Sequence, residues 1–332
     1  MLLLAPPPFA TAAAGFCSHC SRTHRLPRTP LAEAHALELL SAVDEAGTFD
    51  LSTDPSAADA RYRTDACGNG KMLGVLTCTD GTVLRAFSGM LGGTWRCPGW
   101  AGPVAMLTLE DASASARFQQ IVESVQRASA ANDPVERSNH QRVHRSLSAA
   151  LSADLAQSVA LRNWRGAEVR LPELLERQRQ HARVDAEARD QEQPVGQVLR
   201  ARRSKQQQRR RRLGGGGGGG ATLRPPGGVG DCAAPKLLHA AHALGLRPDG
   251  LAEVWFEPPA RRRAAAMLRP AAAAEPTGEH GHAWPQSRRR GGAAERREHG
   301  SFHPACAERC APILGFMLCG LEEPDDRTVQ AV

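Results

Sequence analysis

Three cysteines far apart in the chain, Cys232, Cys306 and Cys310, have the settings that a metal ion asks of thiol ligands. Cys232 lies where the glycine-rich start of GGVGDCAAPKLLHAAHALGL turns into a helix. Cys306 and Cys310 lie at the start of a second apolar helix in HGSFHPACAERCAPILGFMLCGL. A spacing of four puts both sulfurs on one helix face, and a helix N-terminus favours the thiolate that a metal requires. Three thiolates leave one corner of a zinc tetrahedron for water, as catalytic sites do. The competing reading is that these are small buried hydrophobes, a common fate of unpaired cysteine. The 306/310 spacing, with Pro304 before it, favours the metal, and His303 is a spare ligand.

Cys17-x-x-Cys20 followed by His24 is most of a second zinc site. Its fourth donor would be His19 or a group from elsewhere. The set could stand alone or join the other cysteines in space. Cys67, Cys78, Cys97 and Cys319 have no ligand spacing and belong in the core or on the surface. Hydrolytic chemistry at zinc further needs a carboxylate to carry protons. Asp231 and Glu253 are the candidates, set against plainer roles as a helix N-cap and a strand-edge charge.

The elements that must position these groups follow from periodicity and breakers. Residues 16–30 read as a Cys/His loop ending in prolines. Thr29-Pro30 opens a helix to about Asp44, with Ala36, Leu39, Leu40 and Val43 on its apolar face. KMLGVLTC and TVLRAFSG, joined at Asp80-Gly81, read as a β-hairpin. Residues 105–190 are helical in pattern, and 251–256 is a buried strand. The expected fold is α/β (α+β): a hairpin, helix, strand, helix core interrupted by a large helical insert. Its parts are a leader (1–15), a first core segment (16–189), a basic and glycine-rich linker (190–226), and a second core segment (227–257 with 293–321). A disordered insert (258–292) and a tail (322–332) complete the chain.

Composition agrees with less folded mass than 332 residues usually carry. Aromatics are 4%, with 32 Gly and 23 Pro, so whole stretches cannot bury enough apolar surface to order themselves. The net charge of +7 is concentrated: 200–212 holds eight basic residues and no acidic one, with further clusters at 261–263 and 288–290. Such runs are solvated linkers or RNA phosphate contacts, and the lack of interleaved aromatics favours the linker. Nine cysteines, closely paired at 17/20 and 306/310, point to metal ligation in a reducing, intracellular and cytoplasmic setting rather than to disulfides. A plastid or mitochondrial location stays open, because the first acidic residue is Glu33. No apolar run reaches membrane-spanning length, so no membrane partner is expected.

At GDCAAPKLLHAA, LAEVWF and REHGSFHPACAERCAPILGFML the chain resembles the module preceding the catalytic domain in a subset of RluA-family RNA pseudouridine synthases. FCSHC, the KMLGVL…LRAFSG hairpin, GGTWRCPGW and RNWRG resemble the same module, in the same order. The resemblance implies an accessory domain that binds RNA (tRNA or rRNA) or supports a synthase domain or protein. Uridine isomerisation by this chain is not expected. Its nearest match to the synthase H-R-L-D motif is His24-Arg25-Leu26-Pro27, with proline in place of the aspartate, so the chain is a stand-alone version or the front of a longer protein.

A more distant resemblance is to the zinc-dependent deaminase fold, in which a hairpin precedes a helix bearing Cys/His-Ala-Glu, then a strand and a helix opening with Pro-Cys-x-x-Cys. Here Cys232-Ala233-Ala234 puts alanine in the place of the glutamate, and one extra residue separates Cys306 from Cys310. Three readings result: a zinc module tied to RNA modification, a divergent zinc deaminase or hydrolase acting on a nucleobase, and a structural zinc fold with Trp95, Trp100 and Trp255 as interaction anchors.

Overall fold

The segment read as a Cys/His loop is an antiparallel hairpin, β1 (Thr11–Cys17) and β2 (Arg22–Pro27), with the Cys17-x-x-Cys20 turn at its tip. Residues 11–15, expected in a leader, therefore belong to a strand. Alanine-rich β1 has little strand propensity of its own; tertiary packing, described below, holds it. The computed structural model describes residues 10–105, 112–191, 229–267, 297–307 and 309–321. The basic run at 200–212, the glycine run at 214–220, Arg288–Arg290 and the tail at 322–332 lie outside the described residues.

Helix α1 (Pro30–Ala46) forms as its caps dictate. Thr29 Oγ1 accepts the Ala32 amide at 3.2 Å, Pro30 fills the first turn, and Gly47 ends the helix at φ 64°. β3 (Lys71–Cys78) and β4 (Val83–Phe87) pair antiparallel across the Asp80-Gly81 turn, where Asp80 accepts from both the amide and the hydroxyl of Thr82. The helical region then divides into α2 (Ala112–Ala130), α3 (Pro134–Ser158), a small hairpin of β5 (Ala160–Arg162) and β6 (Glu168–Arg170), and α4 (Leu171–Gln191). The 105–190 stretch read as helical is thus interrupted by a hairpin between Ser158 and Leu171. α5 (Ala233–Ala243), β7 (Pro248–Phe256), α6 (Pro259–Met267) and α7 (Ala311–Met317) follow. α6 lies within the expected disordered insert, and its Arg262 is bound to Asp44 and to His299.

The chain is a mixed α/β fold with small antiparallel sheets. The central sheet has the order β4-β3-β7. β7 is not left as a bare edge. Trp255 N donates to Ser301 O and His303 N to Glu253 O, so residues 301–303 run along it, and Ala305 N continues to Ala12 O of β1. α1 covers one face of the sheet over a core of Phe49, Leu73, Phe87, Trp100 and Phe256. α5 covers the other face with Leu76, Ala233 and Leu237, and α7 packs beside it against β1, bringing Phe316 to the same core. Trp95 and Trp100 are buried, and Trp100 Nε1 donates to Phe49 O at 2.6 Å, so neither is an exposed anchor. No helix among the described residues is long and apolar enough to cross a membrane.

Lys236 fastens α5 to the end of β4. Its buried Nζ donates to Phe87 O and Gly89 O at 2.9 and 2.8 Å and sits over the Phe87 ring. Burial pushes its pKa down to about 8. Between that value and the ordinary 10.5, the unfolded chain binds the extra proton, so this group makes stability rise with pH across that window. The full interval corresponds to about 3 kcal/mol. Lys236→Met should flatten the rise, measured by urea denaturation at pH 7 to 10.5; equal slopes in both proteins would exclude a buried charged lysine.

Candidate metal centre

The three distant cysteines meet. Cys232 is the N-cap of α5, reached through the Val229-Gly230 turn, with Gly230 at φ 91°. Cys306 and Cys310 occupy the turn that leads into α7, and Cys310 caps that helix while Cys306 stands outside it. The expectation of two sulfurs on one helical face is corrected: they converge because the turn closes on itself, with Cys310 N and Ala311 N both donating to Cys306 O. The sulfur of Cys306 lies 3.9 Å from that of Cys232 and 3.3 Å from that of Cys310. All three donor atoms fall within 4.8 Å of one another.

The separations suit a metal. A tetrahedral ion with metal–sulfur bonds of about 2.3 Å requires sulfurs about 3.8 Å apart, whereas a disulfide requires about 2 Å. All nine cysteines are free. The Cys306 sulfur shares hydrogen bonds with those of Cys232 and Cys310, and these shared bonds, with the nearby amides of Arg309 and Cys310, hold its pKa far below the usual thiol value, at about 2. The bond shared with Cys306, together with burial, pushes Cys232 up to about 12, and the bonds to both neighbours raise Cys310. Three sulfurs competing for protons at such short range form a set that a divalent cation would satisfy.

A cavity of about 450 Å³ opens beside Cys232 and Cys306, and its wall includes Glu253, Arg297, His303 and Arg309. Glu253, expected as an exposed strand-edge charge, is 3% exposed because residues 301–303 cover β7. Its Oε1 accepts the Ala234 amide at 2.9 Å. Burial pushes its pKa up to about 7, against the pull of that amide. Asp231 is half-buried and is absent from the cavity wall. Burial raises its pKa, Lys236 and Arg309 oppose the rise, and the N-cap expected of it belongs to Cys232. His303 lines the cavity but lies outside the three-sulfur set, with Nε2 2.9 Å from Ser301 Oγ.

Cys17, Cys20 and His24 also come together, and they do not join the first set. Their fourth neighbour is Cys319, so the four donor atoms again lie within 4.8 Å of one another. Cys20 Sγ is 3.0 Å from His24 Nε2 and 3.6 Å from Cys319 Sγ. His19 is not a member. Sequence reasoning missed Cys319 because its partners lie about 300 residues away; the one local hint was a cysteine just beyond an apolar helix that already bears Cys310. Cys67, Cys78 and Cys97 are core residues with thiol pKa values raised by burial.

A roomier groove of about 820 Å³ runs between α1, β4 and the end of α5. Its walls are mainly apolar, its His35 and Glu38 pair with each other, and it holds no thiol. The chemistry-bearing groups are elsewhere. The fold and its sites thus define a mixed α/β protein with two thiol-rich sets that could each hold a metal ion. Comparison with protein-family models, with curated proteins and with solved structures gives no match for this chain.

Proposed function

We propose that this chain is a zinc-dependent hydrolase of the nucleobase-deaminase type, with its reaction centre at Cys232, Cys306 and Cys310. The observation that carries the reading is Glu253, a buried carboxylate on the wall of the cavity beside these sulfurs. The deaminase resemblance calls for glutamate where this chain has Ala234. Glu253 approaches Ala234 from β7, its Oε1 accepting the backbone amide of Ala234, and this supports it as the substitute carboxylate. The order of hairpin β3–β4, helix α5, strand β7 and helix α7 fits the same core.

Cys232, Cys306 and Cys310 would hold the zinc, which when bound would supply Lewis-acid activation of a water. The chain's residues do the rest. Glu253 would take a proton from the attacking water and return it to the departing amine, which leaves as ammonia. The Ala234 amide orients that carboxylate, and the start of α5 and residues 301–303 flank it. A cavity of this size suits one heterocycle with part of its sugar. The test is ammonia release by the zinc-loaded protein from cytosine, adenine and guanine as bases, nucleosides, nucleotides and oligonucleotides. No release from any of them removes the reading.

A second reading, the RNA-modification module implied by the RluA-type resemblance, draws on Arg297 and Arg309 at the cavity, two cations suited to a phosphate backbone. In it the chain binds tRNA or rRNA, or supports a synthase partner, without isomerising uridine. Crosslinking to tRNA and rRNA at physiological salt is its test, and absence of binding eliminates it.

A further inference from the structure

The geometry points to a second, closed zinc site of Cys17, Cys20, His24 and Cys319, whose task is to lock α7 against the N-terminal hairpin and so hold the turn that presents Cys306 and Cys310. The inference does not depend on which reaction the other centre performs, only on that centre binding metal.

The donor set is complete. Three sulfurs and one imidazole nitrogen make a four-coordinate structural site, the closed counterpart of a three-donor site beside a cavity. Cys17 and Cys319 are fully buried, and His24 is 5% exposed. An apolar core would have no use for an imidazole nitrogen 3.0 Å from a buried cluster of thiols. A second feature is independent of the donor set. The backbone amides of His19 and Cys20 point at the Cys17 sulfur, as those of Arg309 and Cys310 point at Cys306. Both turns aim N–H groups at the first cysteine of a pair, and at Cys17 these partly offset the burial that raises its thiol pKa.

The coupling follows from α7. This helix has only seven residues, too few to persist without tertiary anchors. Cys310 caps its start, and Cys319 lies just past its end, so each centre grips one end. Its flank rests on β1 at Gly15 and Gly315, where a Cβ on either glycine would fall on the opposing backbone. The loop before Cys306 is also held by β1, through Ala305 N to Ala12 O at 2.8 Å. β1 thus touches both flanks of the Cys306–Cys310 turn, and the closed site fixes β1 to the far end of α7.

Zinc content and zinc affinity, by elemental analysis and competition with a chromophoric chelator, test this on the full chain. The unaltered protein should bind two zinc ions, one for each donor set. Cys319→Ser should bind one, and the affinity of the remaining centre should fall by about ten- to a hundredfold, the loss typical when supports of a ligand set are removed. Cys306→Ser should also bind one, with the affinity of the closed site unchanged. Cys319→His, which restores a four-donor set, should recover both ions and the affinity of the open centre. This separates loss of a ligand from general misfolding. Two ions in Cys319→Ser overturn the site, as does a Cys319→His protein that is folded but binds only one. Unchanged affinity of the open centre in Cys319→Ser overturns the coupling.

Discussion

Glu253→Gln should retain its zinc and lose hydrolytic activity by about 10²- to 10⁴-fold, the usual contribution of a positioned general acid–base group. Glutamine keeps the acceptor oxygen that the Ala234 amide uses, so the packing and the three-sulfur set remain. It cannot take up a proton and hand it on. Stability should not suffer. Burial raises the folded pKa from 4.5 to about 7, so the folding free energy associated with protonation is complete below 4.5 and is lost as pH rises through 7. Above pH 7 the glutamine protein should therefore melt at or above the temperature of the unaltered one. Asp231→Asn is the control. Asp231 is off the cavity wall, so its replacement should leave the rate within a few-fold. Ammonia release and zinc content measured on the same preparations decide the matter, and full activity in Glu253→Gln would show that the proton carrier is another group.

What the sequence disclosed and what it concealed divide along contact distance. Thr29, Pro30 and Asp80-Gly81 act on their immediate neighbours, so α1 and the β3–β4 hairpin were legible to within a few residues. The meeting of Cys232 with Cys306 and Cys310 was also legible, because each cysteine stands beside a helix start that the breakers mark. β1 was not. Its TAAAGF resembles no strand, and it is extended because Gly15 lets its backbone lie on α7. The burial of Glu253 was hidden for a similar reason, since the segment that covers it returns from residues 301–303, beyond an insert. Cys319 gave least of all, as a ligand whose partners are all at the other end of the chain. Only three-dimensional closure separates it from Cys67, Cys78 and Cys97, which are simply buried.

Stripping metal should unfold this protein at a much lower temperature, because the donors of each centre come from segments far apart in the chain that the ion ties together. The closed site joins residues 17–24 to residue 319, and the open site joins residue 232 to residues 306–310. Metal binding to such sets is itself folding free energy. At free zinc about a thousandfold above the dissociation constant, each centre adds about 4 kcal/mol. For a folded body of this size each kcal/mol moves the midpoint by about 2–4 °C, so one centre is worth about 8–16 °C. The dependence on pH has a fixed sign. Metal holds the ligand thiols deprotonated in the folded state and so depresses their pKa relative to the unfolded chain. The stabilisation is therefore present above the ordinary thiol pKa and is lost as pH falls and protons displace the ion. Calorimetry with and without a strong chelator, at pH 8 and pH 5, should show a large chelator effect at the higher pH and a much smaller one at the lower. A melting temperature indifferent to the chelator at pH 8 would mean that neither set of sulfurs carries a metal, and the hydrolytic reading would fall with it.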